Sequence, residues 1–315
     1  MKVVFQKFKK EVFIMITLLT LIAGAELVSS IVNAQTLDTL VNMDIHNFFY
    51  KAICLVVIFA FYLLFTYMLI RYQAYFNQKV ATWLRDRISH SIEATSYGRF
   101  YEKNSQTYIS WFTSDLEQIK GNAMNPTFEV IGGIISAVIS AVALFMYHWS
   151  IVLLAAICIV IMAVLPALFS AELTEKTIKV SEANEKFAKS ISDLLSGYDT
   201  LFVFRKLAYL KEKIHEKSVE VGDTHRDFSK SMAKVAVSGG IGNVFSQISV
   251  FILTGYLAYI GEVSIGSILA AMALSSTIFN VLGNISQKIG SIKSADSLFN
   301  KYEQLEPAAL VEEAP

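Results

Sequence analysis

Residues 127–169 read TFEVIGGIISAVISAVALFMY-HWS-IVLLAAICIVIMAVLPALF, two apolar runs parted only by His148, Trp149 and Ser150. Each run approaches the length of about 20 residues that a helix needs to cross a bilayer. Neither shows the period-2 alternation or the turn chemistry of strands. A membrane helix satisfies every backbone N–H and C=O within itself, so this pair predicts two spanning helices. Working outward, four more runs of the same kind occupy 12–32, 48–70, 237–260 and 265–282. The fold class is therefore an all-α membrane protein with six transmembrane helices.

Composition agrees through its distribution. Apolar residues make up 54% of the 315, against roughly 45–50% in soluble domains, and the excess is gathered in the six runs. The formal net charge is zero, which offers nothing to a nucleic-acid partner. Lys2, Lys7, Lys9 and Lys10 precede the first run as they would in a secretory signal. That run, however, exceeds an h-region of about 7–15 residues, and Asn33-Ala34-Gln35 is a poor cleavage match, so it reads as a retained span. Cys54 and Cys158 lie inside apolar runs and read as packing residues. Pro166 is tolerable near a span's end or at a kink.

The connections alternate between short and long. Residues 33–47, 148–150 and 261–264 join pairs of runs, whereas 71–126 and 170–236 are each more than fifty residues long. Lys and Arg number 4 at the amino terminus, 7 and 12 in the two long segments and 3 at the carboxyl end, leaving Lys51 alone on the other face. Positive charge stays inside, which places both termini and both long segments in the cytosol. Within the first, Val80, Leu84, Ile88 and Ile92 recur at i+4, and Ile109, Phe112, Leu116 and Ile119 follow at helical spacing. Residues 172–195 and 206–234 are rich in helix formers. Each long segment thus reads as a descending and a returning helix, and about 25 helical residues reach some 37 Å beyond the membrane. The breaks fall from Tyr97-Gly98-Arg99-Phe100 to about Thr107, and around Ser196-Gly197-Tyr198-Asp199. Residues 1–11, with Val3, Val4, Phe5 and Phe8 against lysines, fit an interfacial amphipathic helix. Residues 305–315 read as a linker.

These residues resemble the transmembrane domain of ATP-binding cassette exporters of the six-helix type, over nearly the whole chain. The likeness is carried by Leu84-Arg85-Asp86-Arg87-Ile88, Phe100-Tyr101-Glu102-Lys103-Asn104 and Thr113-Ser114-Asp115-Leu116-Glu117-Gln118-Ile119. It continues at Asp193-Leu194-Leu195-Ser196-Gly197-Tyr198, Phe202-Val203-Phe204 and Gly261-Glu262-Val263-Ser264-Ile265-Gly266. The sequence departs from the family pattern at Gln106 and Thr107 (a glycine), Asp193 (a Glu), Val281 (a proline) and Ser297 (an Arg). The resemblance implies a half-transporter spanning 12–304 that pairs with a second six-helix unit as a domain-swapped dimer, its fourth and fifth spans reaching into the partner. It implies two coupling helices that dock ATPase domains through Tyr97, Arg99, Phe100, Tyr101, Glu102 and Asn104, and through Ser196, Gly197, Tyr198, Asp199, Thr200 and Phe204. It also implies a linker at 305–315 to a missing ATPase domain.

No G-x-x-x-x-G-K-[ST] phosphate cradle occurs in the chain, and no catalytic constellation is credible on these helices. ATP and Mg²⁺ would enter through the ATPase domain, and the complete transporter would hydrolyse ATP. The five histidines lack i, i+3 or i+4 partners, which argues against a metal site. Polar residues at membrane depth are candidates for the substrate path: Glu26, Asn243, Ser246, Gln247, Ser276 and Asn280. An ionisable residue inside a span marks a functional group by default, though Glu26 reads more readily as an interfacial carboxylate hydrated from outside. The amides and hydroxyls read equally as helix–helix hydrogen bonds. Gly132-Gly133 reads as a close helix contact. The expected cargo is amphipathic: a peptide, lipid or drug. The expected location is the plasma membrane, and Lys-rich, Arg-poor composition points to a bacterial source. Two rival readings are an ion-coupled carrier or channel, with Glu26 as coupling group, and a non-transporting scaffold or receptor that docks a cytosolic partner.

Overall fold

Helix α1 (Lys2–Lys7) bends at Phe8 into α2 (Lys9–Val41), and α3 (Ile45–Glu93) follows after three residues. No glycine or proline interrupts α3, so the apolar stretch 48–70 and the polar stretch beyond it form one helix of about 73 Å at 1.5 Å per residue. Asp44 starts it: its Oδ1 accepts the Asn47 N–H at 3.1 Å. Helices α4 (Tyr97–Tyr101), α5 (Ser105–Phe112) and α6 (Ser114–Ile119) come next, then a π-helical turn at Lys120–Met124 and α7 (Asn125–Tyr147). The chain continues through α8 (Trp149–Ser196), α9 (Tyr198–Val203), α10 (Leu207–Tyr259) and α11 (Ser267–Glu303). This computed structural model describes residues Lys2–Glu303. Among them every element is helical, and six helices are long and apolar enough to cross a membrane. The expected linker at 305–315 lies outside the described residues.

The helical content of both long segments agrees with the periodicity, with one difference. The first return is segmented, whereas α3, α8 and α10 run unbroken from apolar to polar sequence. Thr113, at φ −122° and ψ −88°, separates α5 from α6. Pro126 then sits in the first turn of α7 and has no N–H for the carbonyl four residues back. The backbone there widens, and the Asn125 N–H reaches the Lys120 carbonyl, five residues back.

The contacts divide the chain into two units, one of residues up to Leu154 together with those from Ser249 on, the other Ala155–Ile248. In the first, α2 lies along α3, α7 lies along α11, and α2 also touches α7 and α11. Gly132 and Gly133 make the approach possible. A Cβ on Gly132 would stand 2.8 Å from Leu19 Cδ2, and one on Gly133 would stand 3.0 Å from Val281 Cγ1. The core of this unit gathers Val4, Phe8, Phe76, Val80, Leu84, Trp111, Ile119 and Phe128. Phe76 meets Phe128 edge-on at 5.3 Å, and Phe8 meets Trp83 at 5.9 Å, geometries that favour aromatic pairs. Val4 and Phe8 are thus buried in protein; Lys7 of α1 lies over the Trp83 ring of α3 at 5.3 Å, and Glu11 of α2 pairs with Lys79 of α3 at 2.5 Å.

In the second unit, Gly242 lies against Met162 and Leu165, and Gly239 against Pro166, which α8 passes through without ending. Beyond the apolar stretches, Glu172 accepts from Ser231 Oγ at 2.8 Å and Lys234 Nζ at 2.9 Å. Further along, α10 carries the i,i+3 ion pairs Lys213–Glu216, Lys217–Glu220, Asp223–Arg226 and Asp227–Lys230. Such pairs suit a helix surrounded by water.

Candidate functional site

The two breaks in the long segments form different kinds of tip. In the first, α3 ends at Glu93 and the chain turns through α4 into α5. Asn104 starts α5, its Oδ1 accepting the Thr107 N–H at 3.0 Å and the Thr107 hydroxyl at 3.2 Å. The Phe100 ring stacks on Tyr108 with centroids 4.7 Å apart, and the Tyr108 hydroxyl donates to the Phe100 carbonyl at 3.1 Å. Tyr108 in turn meets the buried Trp111 at 5.1 Å, and Lys103 caps the Trp111 ring at 4.7 Å. Tyr97 and Tyr101 pair at 4.8 Å on the exposed side. Arg85 of α3 donates to the Phe112 carbonyl at 3.4 Å, tying the tip to the descending helix. Arg99, Glu102 and Asn104 are exposed. The tip is a fixed aromatic block with an outward polar and aromatic face.

The second tip is bare. α8 stops at Ser196, α9 occupies Tyr198–Val203, and Arg205 at φ 55° turns the chain into α10. Tyr198 stacks on Phe202 at 6.1 Å. Phe202 is 60% exposed, Val203 75% and Phe204 70%. Ser196, Asp199 and Thr200 are exposed around them, and Gly197 is half-buried with no φ that demands glycine. A cavity of about 540 Å³ opens beside Phe202, Val203, Arg205 and Leu207. Contiguous exposed apolar side chains mark an interaction surface, and the polar ion-paired helix behind these says the surface is not a lipid contact.

The residues expected on a substrate path fall on α2, α10 and α11. Glu26 of α2 is half-buried and has Tyr62 of α3 beside it. Ser276 and Asn280 of α11 bond to each other at 3.2 Å. In the other unit, Asn243 accepts from Gln247 at 2.7 Å, and the buried Ser246 hydroxyl donates to the Gly242 carbonyl at 2.7 Å. Those three side chains therefore bond along their own helix.

Several groups escaped the sequence reading. Trp111 and Tyr108 organise the first tip, yet the helical spacing read there was that of their neighbours Ile109 and Phe112. Asn125 Oδ1 accepts from Gln73 at 3.0 Å and from the buried Asn77 at 2.8 Å, joining α3 to the start of α7 beside the π turn. Glu129 of α7 and Lys288 of α11 form an ion pair between helices. A partner 48 or 159 residues away leaves no local pattern; an ionisable residue in the first turns of an apolar run was the signal available for Glu129.

No curated protein matches the chain. The family model described as "ABC transporter transmembrane region" matches residues 12–282. That match takes in all six apolar stretches and both tips, and with it the chain belongs to the ABC transporter transmembrane family.

Proposed function

We propose that this chain is the membrane half of an ATP-driven exporter, working as a pair with a second six-helix unit and driven by ATPase domains that bind its two tips. Membership of the family supports the pairing with ATPase domains and the bilayer. The charge distribution supports termini and tips in the cytosol. The observation that carries the coupling role is the second tip: Tyr198, Phe202, Val203 and Phe204 stand exposed between two helices, α8 and α10, that run on into apolar membrane sequence. A side chain pulled there moves a helix, not a loop.

The first tip, around Tyr97 to Asn104, presents the same kind of face on a stiffer base. ATP and Mg²⁺ act on the ATPase domains; this chain supplies the path, and its rigid helices turn closure of those domains into alternating access. Residues 12–304 form the translocation unit, and 1–11 fasten it at the membrane surface.

The test is transport of labelled amphipathic cargo in proteoliposomes holding this chain with its cognate ATPase domain. ATP-dependent uptake that disappears with Phe202→Ser and Phe204→Ser carries the proposal. Uptake driven by an ion gradient without ATP returns the carrier reading, and stable ATPase docking without any transport returns the scaffold.

A further inference from the structure

Glu129 and Lys288 bridge α7 and α11 at the end of the spans from which the long segment 71–126 departs. Beside the pair is a pocket of about 220 Å³, with Asn280 and Asn284 on its polar side and Val130 and Val281 on its apolar side. The helices do not need the pair in order to pack, since Gly133 already sets α7 against Val281. The Glu129 side chain is 52% exposed and that of Lys288 33%, and a pair so open to solvent contributes little to stability. Charged groups at the edge of membrane helices face a bundle interior or a water-filled cavity.

Its chemistry selects the ligand. A ligand with a single charge satisfies one partner and leaves the other with solvent alone. A zwitterion replaces both contacts at once, ammonium on Glu129 and acid group on Lys288, with the net charge of the site unchanged. The pocket is smaller than the roughly 300–1,000 Å³ of drug-sized sites, so it takes the charged head of a longer molecule. Val130 and Val281 then receive the start of an apolar body. We propose that the Glu129–Lys288 pair is an exchangeable anchor for amphipathic zwitterions, which makes these the cargo class; as cargo, though not as ligands, they rest on the exporter reading above.

The chain alone, in nanodiscs of purely anionic phosphatidylglycerol, is titrated with labelled trileucine in four charge states: free, N-acetylated, C-amidated and blocked at both ends. The apolar body is constant, so affinity reports charge alone. The free zwitterion is expected to bind at least tenfold tighter than each of the other three. Glu129→Gln and Lys288→Gln each remove that preference while leaving the melting temperature unchanged. The exchanged variant, Glu129→Lys with Lys288→Glu, restores the preference and controls for folding.

Equal affinity for all four peptides, or a preference that survives both single substitutions, overturns the proposal. Adding phosphatidylcholine to the discs separates the sources of the head group. If it displaces trileucine, the site takes a zwitterionic lipid; if trileucine stays bound, the site takes a free zwitterion. Neither ATP nor an ATPase enters this measurement. Binding without ATP-driven transport therefore sinks the exporter reading alone, and ATP-driven transport with charge-blind binding sinks the anchor alone.

Discussion

At Gly266 the chain turns into α11 with its N–H donating to Asp38 Oδ1 at 2.6 Å. A Cβ there would stand 1.9 Å from the Ala34 carbonyl oxygen and 2.8 Å from Asp38 Cγ. Backbone cannot yield as a flexible side chain can, so Gly266→Ala is expected to cost about 1–3 kcal/mol of stability through overpacking, read as a lower melting temperature in nanodiscs. Gly24→Ala in α2, with nothing within 4 Å of its Cβ, is the matched control and is expected to gain up to about 1 kcal/mol. The turn at 261–266 was legible through its resemblance to the family, but the partner of Gly266 was not, because Asp38 lies 228 residues away. Asp44 makes a second case. Two hydrogen bonds from Asn47 hold its carboxyl below the usual value of 3.8. A depressed folded value means the cap is fully present above 3.8 and is lost as pH falls through the lower folded value. Backbone exchange at Asn47 is expected to accelerate, relative to Asp44→Asn, only on acidification below that point. Asn caps without titrating, so identical profiles for the two proteins would remove the claim.

Among the elements, the contrast between the tips has consequences for how each tolerates change. The first tip is built on Asn104, and Asn104→Ala removes the cap of α5 at a cost of about 1 kcal/mol, seen as faster exchange from Ser105 to Tyr108. The second tip is exposed, so Phe202→Ser is expected to shift stability by no more than about 0.5 kcal/mol while reducing ATP-driven transport at least tenfold. A loss of folding equal to the loss of transport would contradict the coupling role. The spans and the sites of both breaks were legible because apolar run length and Gly or Pro content are local. The kink between α5 and α7 was not. Thr113 is an ordinary helix residue by type, and the π turn depends on Pro126 acting on a carbonyl in the preceding turn. Asn243, Ser246 and Gln247 read equally as a polar path or as helix–helix hydrogen bonds, and in the structure their side chains bond along α10.

Taken whole, the chain puts spans from α2, α3, α7 and α11 in one unit, while Ala155–Ile248 of α8 and α10 forms another. Residues 155–248 contain two apolar membrane stretches, and two helices alone bury little. Val160, Val164, Leu168, Val237 and Ile241 all remain more than half exposed. Lipid accepts such side chains at no cost, so burial of apolar area does not drive association in a membrane. Small residues and polar side chains do, and Gly239 and Gly240 lie on this same pair of helices. The expectation is that a second copy, or a homologous six-helix unit, completes the pair. Native mass spectrometry from nanodiscs should release a species of twice the 35.1 kDa chain mass. Gly240→Leu is chosen because nothing lies within 4 Å of a Cβ there: the chain itself can hold the larger side chain, but a close-packed neighbour cannot. That substitution should leave the monomer folded and shift the population toward single chains. An unchanged dimer fraction would place the contact elsewhere, and a chain that stays single at every protein-to-lipid ratio would leave a separate homologous subunit as the necessary partner.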